Sequence, residues 1–456
     1  MVLARLLTPE DFGLIIMITA ITGFVMLFRD LGLGVATVQK DQISHEQVST
    51  LFWINVLLNV AVMVVTMALA PVIVWFYDQP ELFLLTIAMA TGFIWSGLSV
   101  QHMALLRRQM RFGTIAGINI LATAVSVAAG ISAALSGWGV WSLVVMPLAG
   151  SITGAAAMWM LCSWRPGLPK RHADVRDMLA FGGNLTGFSF VTCLSQNMDN
   201  LLIGKVWGTG LLGLYNKAYE LLLLPLRQIN RPLGNVVVTT LSRLQNDPQQ
   251  FRTYYQKGTL AATFFGMPIV LLFFVAATEL IAVFLGDQWI EVPRLFRVLM
   301  PAAFVSTFNT TAGWVFVATG QANRQLRIGS IIAIAQVIGF CIGIQWGPIG
   351  VAASFSIVSC LTCYPTFHYC FKKSSLCMTD LTTVLWKPAL ASLFAATLTF
   401  TANEFFFAQH HVMTRLILTC GIFAFSYLLA WTCLPNGFQT LRELCRILQG
   451  LRTTRK

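Results

Sequence analysis

LLGLYNKAYELLLLPLRQINRPLGNVVVTT, residues 211–240, is apolar enough to span a bilayer yet carries Lys217, Glu220, Arg227 and Arg231 in its interior. A charge at mid-bilayer depth costs about 2.5–3.5 kcal/mol on insertion scales, so it faces a partner or a water-filled path rather than lipid. At about 100° per residue, Gly213, Lys217, Glu220, Arg227, Arg231 and Asn235 fall within one narrow sector of the helix. Lys217 and Glu220 are three residues apart and can neutralise each other, and Arg231 is near enough to the cytoplasmic end to snorkel towards headgroups. Arg227 escapes both explanations, and the stretch reads as a cationic stripe lining a cavity. Pro225 and Pro232 each remove a backbone donor, which predicts a bend or a local opening at the same depth.

The surrounding chain gives that helix its context. Of 456 residues 56% are hydrophobic and only 11% charged, a composition that excludes an ordinary soluble domain and predicts an all-α polytopic membrane protein. The net charge of +12 would suggest nucleic acid in a soluble chain; here no basic domain exists, and where the charges lie matters more than their sum. Cys360 and Cys363 have a CxxC spacing inside an apolar helix, without the second pair a zinc site needs, so no metal is expected. The histidines are dispersed, and the adjacent His410 and His411 lack a carboxylate cluster. There is no phosphate-cradling glycine loop with its lysine, no legible Ser-His-Asp set, and no loop long enough for a soluble catalytic domain. The chain therefore reads as a protein that is not an enzyme and has no cofactor.

Apolar runs of about twenty residues place thirteen spans near 12–37, 51–77, 81–106, 112–136, 138–162, 178–206, 211–240, 258–286, 294–319, 326–346, 348–372, 381–403 and 412–434. Basic connections at 107–111, 163–176, 242–257, 321–327 and 372–373 alternate with low-charge ones at 77–80, 136–139, 207–210, 286–293 and 345–348. The positive-inside rule makes the basic set cytoplasmic, together with the C-terminal tail that carries Arg442, Arg446, Arg452, Arg455 and Lys456. Thirteen spans with a cytoplasmic C-terminus leave Met1 on the far side, and MVLARLL reads like the end of a helix, so one more N-terminal span is expected before Met1.

The chain also repeats itself. RQMRFGTI at 108–115 matches RQLRIGSI at 324–331, each read as a cytoplasmic turn entering a span. Arg5, Gly13, Leu14, Leu33 and Gly34 match Lys205, Gly213, Leu214, Leu233 and Gly234 at a constant offset of 200 residues. Repeats six spans apart have the same orientation, so two parallel six-helix lobes are expected with a site between them. The expected divisions are an incomplete N-terminal lobe over 1–162, a cytoplasmic linker over 163–177, a C-terminal lobe over 178–372, two extra helices over 381–434 and a basic tail over 435–456.

Further polar groups lie in neighbouring spans. Arg29 and Asp30 stand in the span 12–37, with Arg29 on one face with Thr22 and Ala36, and Asp30 beside Thr19 and Thr37. The span 178–206 adds Asn184, Thr192, Ser195 and Asp199 along one face, with Lys205 at its end. Such groups serve a cavity, answer charges on other helices, or glue helices together. Five bases (Arg29, Lys205, Lys217, Arg227, Arg231) outnumber three acids (Asp30, Asp199, Glu220), so the cavity should prefer an anion. Arginine forks suit phosphate because each can bond two oxygens. Asn184, Ser195 and Asn235 would be polar lining.

LARLLTPEDFGLI (3–15), DLGLGVATVQ (30–39) and DNLLIGKVWGTGLLGLYNKAYELLLLPL (199–226) resemble the Wzx-type polysaccharide and lipopolysaccharide exporters of the multidrug/oligosaccharidyl-lipid/polysaccharide (MOP) flippase superfamily, most closely the branch that includes the colanic acid exporter. The resemblance covers nearly the whole chain. It implies fourteen helices in a MATE-like fold, with alternating access that carries undecaprenyl-diphosphate-linked oligosaccharide repeat units across the bacterial inner membrane. It further implies Arg227 and Arg231 as diphosphate contacts, with Lys217, Lys205 and Arg29 along the route. Asp30, Asp199 and Glu220 become candidates for ion coupling, and membrane lipid, the polysaccharide polymerase and the chain-length machinery become partners. A cation-coupled small-molecule or drug antiporter of the same superfamily is the alternative, expected to carry fewer cations and a more acidic or aromatic cavity. A membrane sugar polymerase fits less well, because it would carry a large outer loop.

Overall fold

The computed structural model describes residues 1–26, 29, 33–39, 42–169, 176–406, 411–435 and 437–438, with the backbone alone at 35, 36, 39, 176–196 and 406. Asp30 and the basic tail from 439 onwards lie outside the described residues. Among the described residues every regular element is a helix. In order these are α1 (Val2–Leu6), α2 (Pro9–Met26), α3 (Leu33–Gln39), α4 (His45–Tyr77), α5 (Leu82–Ala90), α6 (Gly92–Arg108), α7 (Phe112–Leu135) and α8 (Trp141–Leu161). There follow α9 (Arg176–Arg243), α10 (Pro248–Val275), α11 (Ala277–Phe284), α12 (Val292–Ala318), α13 (Ala322–Gly343), α14 (Gly347–Phe371), α15 (Met378–Phe406) and α16 (Val412–Cys433).

The helices begin where the sequence supplies caps. Ser44 Oγ accepts the Gln47 amide at 3.2 Å while Gln47 Oε1 accepts the Ser44 amide at 3.1 Å, a reciprocal box that starts α4. Asp247 Oδ1 accepts the amides of Gln249 and Gln250 at 3.1 and 3.0 Å, and Pro248 takes the first helical position of α10, where its missing N–H costs nothing. Nine helical segments among the described residues are long and apolar enough to cross a membrane, and one of them, 322–371, holds both α13 and α14. α9, with its interior charges, and α12, with the run Ser306-Thr-Phe-Asn-Thr-Thr311, stand outside that set.

Three predicted spans are interrupted. In the span 12–37, α2 ends at Met26, Arg29 stands in a turn and α3 begins at Leu33, so the continuous helical face assigned to Arg29 across that span does not exist. α5 and α6 meet at Thr91 inside the span 81–106, and α10 gives way to α11 inside 258–286. Conversely, α9 runs through both predicted spans 178–206 and 211–240, and its one non-helical residue is Gly208, with φ 80° and ψ −174°. Glycine reaches that conformation without a Cβ penalty. Pro225 and Pro232 keep helical angles; the opening expected at their depth is absent, because losing one donor each does not force the backbone out of the helix.

The chain divides into two compact units, Met1–Gly213 and Leu214–Lys456. In the first unit α4 packs on α5 and α6, and α7 on α8, around Val48, Leu105, Leu106, Ile118 and Met158. The segment after α8 folds back over α4: Trp53 Nε1 donates to the Gly167 carbonyl at 2.8 Å, and the Gly167 amide to Ser49 Oγ at 3.0 Å. In the second unit α10 is the axis, its most apolar stretch 61% buried against 11% for 322–371. α15 and α16 pack along it, with Tyr427 Oη donating to the Phe264 carbonyl at 2.9 Å and Arg415 Nε 2.7 Å from the buried Glu279 carboxylate. Leu57, Met160, Leu361 and Phe405 are broadly exposed, as lipid-facing side chains are. Trp75, Trp138, Trp207 and Trp346 are exposed too, each in or beside a low-charge connection.

One turn form recurs along the chain. The turns closing α6 and α12 have the same form: the Arg111 amide donates to Leu106 O at 3.0 Å and the Gln321 amide to Phe316 O at 2.8 Å, with positive φ at Met110 (56°) and Gly320 (68°). These are equivalent bonds at an offset of 210 residues. The RQMR and RQLR motifs match at an offset of 216, so the second copy lies within α13 instead of in the turn. The same bond with a positive φ also closes α7, from the Trp138 amide to Ala133 O at 3.1 Å with Gly137 at 80°, so it is a general helix ending. The 200-residue correspondence appears as contact: a Cβ on Gly13 would fall onto the carbonyl oxygen of Thr209, and one on Gly213 onto that of Pro9.

Candidate functional site

The stripe on α9 divides in two. Lys217 Nζ lies 3.1 Å from Glu220 Oε2, with the lysine largely covered and the carboxylate half exposed, so these charges neutralise each other as their spacing allows. Arg227 and Arg231 are exposed on the same face, and among the described residues neither guanidinium has an acidic partner. They line one groove of about 360 Å³ with Leu223, Leu226 and Asn230 of α9 and Ser306, Thr310 and Trp314 of α12. Four residues apart on one helix, the two arginines leave the backbone about 6 Å apart along the axis. Each can give two parallel N–H bonds to one acidic group. Hydroxyls and an amide flank them, and Leu223, Leu226 and Trp314 supply apolar walls. Asn235, one turn further on, is exposed but does not line this groove.

The α12 side of the groove was not singled out in the sequence. Ser306 and Thr310 belong to a hydroxyl-rich run inside a span, which is a visible signal; their meeting with Arg227 depends on a contact across some eighty residues of chain. Gly234 is part of that contact, since a Cβ there would stand 2.8 Å from Trp314 Nε1.

The remaining candidates lie in the first unit. Arg29, in the interruption between α2 and α3, is exposed and lines a cavity of about 540 Å³ with Trp95, Ser96, Ser99, Asn119 and Thr123 among others. Its carbonyl accepts Asn59 Nδ2 at 2.8 Å, which ties this non-helical backbone to α4. Asp199 is 5% exposed, and its Oδ1 accepts the Asn200 amide at 2.8 Å. Lys205 Nζ sits 5.3 Å from the Phe76 ring centroid, within cation–π range. Of Asn184 and Ser195 the backbone alone is described, and Asp30 lies outside the described residues. The structure thus brings Arg227 and Arg231 together, pairs Lys217 with Glu220, and places Arg29, Asp199 and Lys205 at separate points of the other unit.

Residues 2–294 match the model of a family described as polysaccharide biosynthesis protein. The chain belongs to that family. Among curated relatives, the lipopolysaccharide biosynthesis protein WzxC of Escherichia coli K12 is 24% identical over 364 residues, covering 78% of this chain and 73% of that protein. Among solved structures, the lipid II flippase MurJ in an inward closed conformation superposes with a TM-score of 0.75 at 16% identity, covering 94% of each chain. An inward-facing MATE multidrug transporter of the MOP superfamily superposes at 0.64 and 14% identity, covering 84% of this chain and 92% of that one. The family and these folds agree with the multi-pass helical membrane protein expected from the sequence.

Proposed function

We propose that the protein is a flippase that moves undecaprenyl-diphosphate-linked oligosaccharide repeat units across the bacterial inner membrane for exopolysaccharide or lipopolysaccharide synthesis. The observation that carries this reading is the pair Arg227 and Arg231, two guanidiniums without acidic partners among the described residues, in one groove. A membrane protein keeps such charges only where a ligand or water answers them, and a diphosphate answers two neighbouring forks at once. The names of its relatives, a lipopolysaccharide biosynthesis protein and a lipid II flippase, agree with that ligand class.

In this reading residues 1–162 and 178–372 are two parallel lobes joined by the linker 163–177. The diphosphate enters from the cytoplasmic leaflet with its polyprenyl tail left in lipid, and rocking of the lobes exposes the glycan on the other side. Arg29 and Lys205 attend the route, while Lys217 is held by Glu220. Asp30, Asp199 and Glu220 are the ion-coupling candidates, with Glu220 paired to Lys217. The polymerase and chain-length machinery would receive the product, and the C-terminus is cytoplasmic. The test is deletion of the gene in its host with mass spectrometry of lipid-linked sugars. Completed repeat units should accumulate and be cleared by the wild-type gene but not by its Arg227→Ala/Arg231→Ala form. An unchanged lipid-linked pool in a host without a second exporter would overturn the reading in favour of the small-solute antiporter.

A further inference from the structure

The cavity of the first unit is lined differently from the arginine groove. Its volume is about 540 Å³, within the roughly 300–1,000 Å³ usual for ligand pockets. Among its described lining residues Arg29 is the one charged side chain; the other polar groups are serine and threonine hydroxyls and the Asn119 amide. Thr123 stands near the middle of α7 with Asn119 one turn before it, and both are exposed although α7 is apolar enough to cross a bilayer. Hydrocarbon cannot answer an amide or a hydroxyl, so these two face water or a polar ligand.

Tying helices together is the ordinary use of such groups in a membrane, and Ser126 serves it: buried, its Oγ donates to the Met146 carbonyl at 2.6 Å and fastens α7 to α8. Asn119, Thr123 and Ser96 differ, since their side chains make no hydrogen bond among the described residues. Trp95 lines the same cavity and stacks on no other described ring, whereas Trp159 lies 4.6 Å from the ring of His102. An indole face attracts the slightly positive C–H edge of a sugar ring. One cation beside an uncharged array of donors and acceptors fits an acidic group that carries a polyol; a cationic drug would find no carboxylate here. We infer that this cavity takes the sugars next to the diphosphate of the lipid-linked substrate, with Arg29 at the phosphate end, Ser96, Asn119 and Thr123 bonding sugar hydroxyls, and Trp95 against a ring face. A site built to bond hydroxyls rejects ligands that lack them, so these residues set which repeat units are accepted. The inference rests on the flippase reading above.

The test separates glycan from lipid. Lipid-linked repeat units extracted from the deletion strain are compared with bare undecaprenyl diphosphate for binding to the purified protein in nanodiscs. Wild-type protein should prefer the glycolipid, and Asn119→Leu/Thr123→Val should lower that preference about ten-fold, as two lost hydrogen bonds do, with binding of the bare lipid unchanged. If that variant does not insert, Ser96→Ala and Thr123→Val are measured singly, and each should lower the preference about three-fold. A preference retained in the variants overturns the inference. So does an equal loss of both lipids, which would place these side chains in the fold or at the diphosphate, and so does a wild-type protein that binds both lipids alike. Oligosaccharide freed from the lipid by mild acid should bind weakly; if it binds as well as the glycolipid, the cavity serves a soluble sugar and the inference fails. A deletion strain whose lipid-linked pool is unchanged overturns the flippase reading itself, a result distinct from all of these.

Discussion

Two halves of one helix face carry the same kinds of side chain and meet different fates. Towards the start of the second half of α9, Lys217 and Glu220 close on each other at 3.1 Å; three turns on, Arg227 and Arg231 open into a groove with no acid among its lining residues. The first pair satisfies its own desolvation. The second leaves two guanidiniums without an acidic partner among the described residues, the feature on which the proposed binding site rests. Elsewhere in the chain, Arg415 and Glu279 supply a third case, a pair with the carboxylate 5% exposed that fastens α16 to α11.

Substitution should separate these cases. The largest effect is expected from Arg227→Ala/Arg231→Ala: with about 1.5–3 kcal/mol for each lost charge-assisted bond, clearance of lipid-linked repeat units should fall on the order of a hundred-fold or more while the protein still inserts and melts normally. Glu279→Gln should instead act on stability, since removing one member of a buried pair costs about 3–5 kcal/mol; purified protein should melt earlier in detergent. If it melts unchanged, the pair is not structural. Replacing both arginines by lysine keeps the charge and loses the fork, so a drop in clearance of about ten-fold, close to 1.4 kcal/mol, is expected, and full activity would remove the case for bidentate phosphate contact. Exchanging Lys217 and Glu220 should change least, within about 1 kcal/mol for a partly exposed pair, and a severe loss of transport would mean that Lys217 serves substrate after all.

How much of this was legible beforehand follows from the range of each interaction. Each predicted span overlaps one or more of these helices, because twenty apolar residues are a local signal. The Lys217–Glu220 pair was legible for the same reason, being three residues apart on a helix. The break between α2 and α3 was not, since FRDLGLGV reads as apolar helix with two charges, and the tie from Asn59 to the Arg29 carbonyl depends on a residue thirty positions away. Ser306, Thr310 and Trp314 were missed as groove residues for the same cause. The expected repeat motif shows the opposite failure: RQMR and RQLR look alike, but the first spans the end of α6 and its turn while the second lies within α13.

The exposed tryptophans of the first unit carry a last consequence. Trp75, Trp138 and Trp207 are 41–79% exposed and stand at low-charge connections, where indole prefers the boundary between headgroups and acyl chains. The alternation of charged connections puts all three on one side, so these indoles are expected at one interface. In the proposed cycle, a lobe that dipped that rim into hydrocarbon or lifted it into water would work against these anchors.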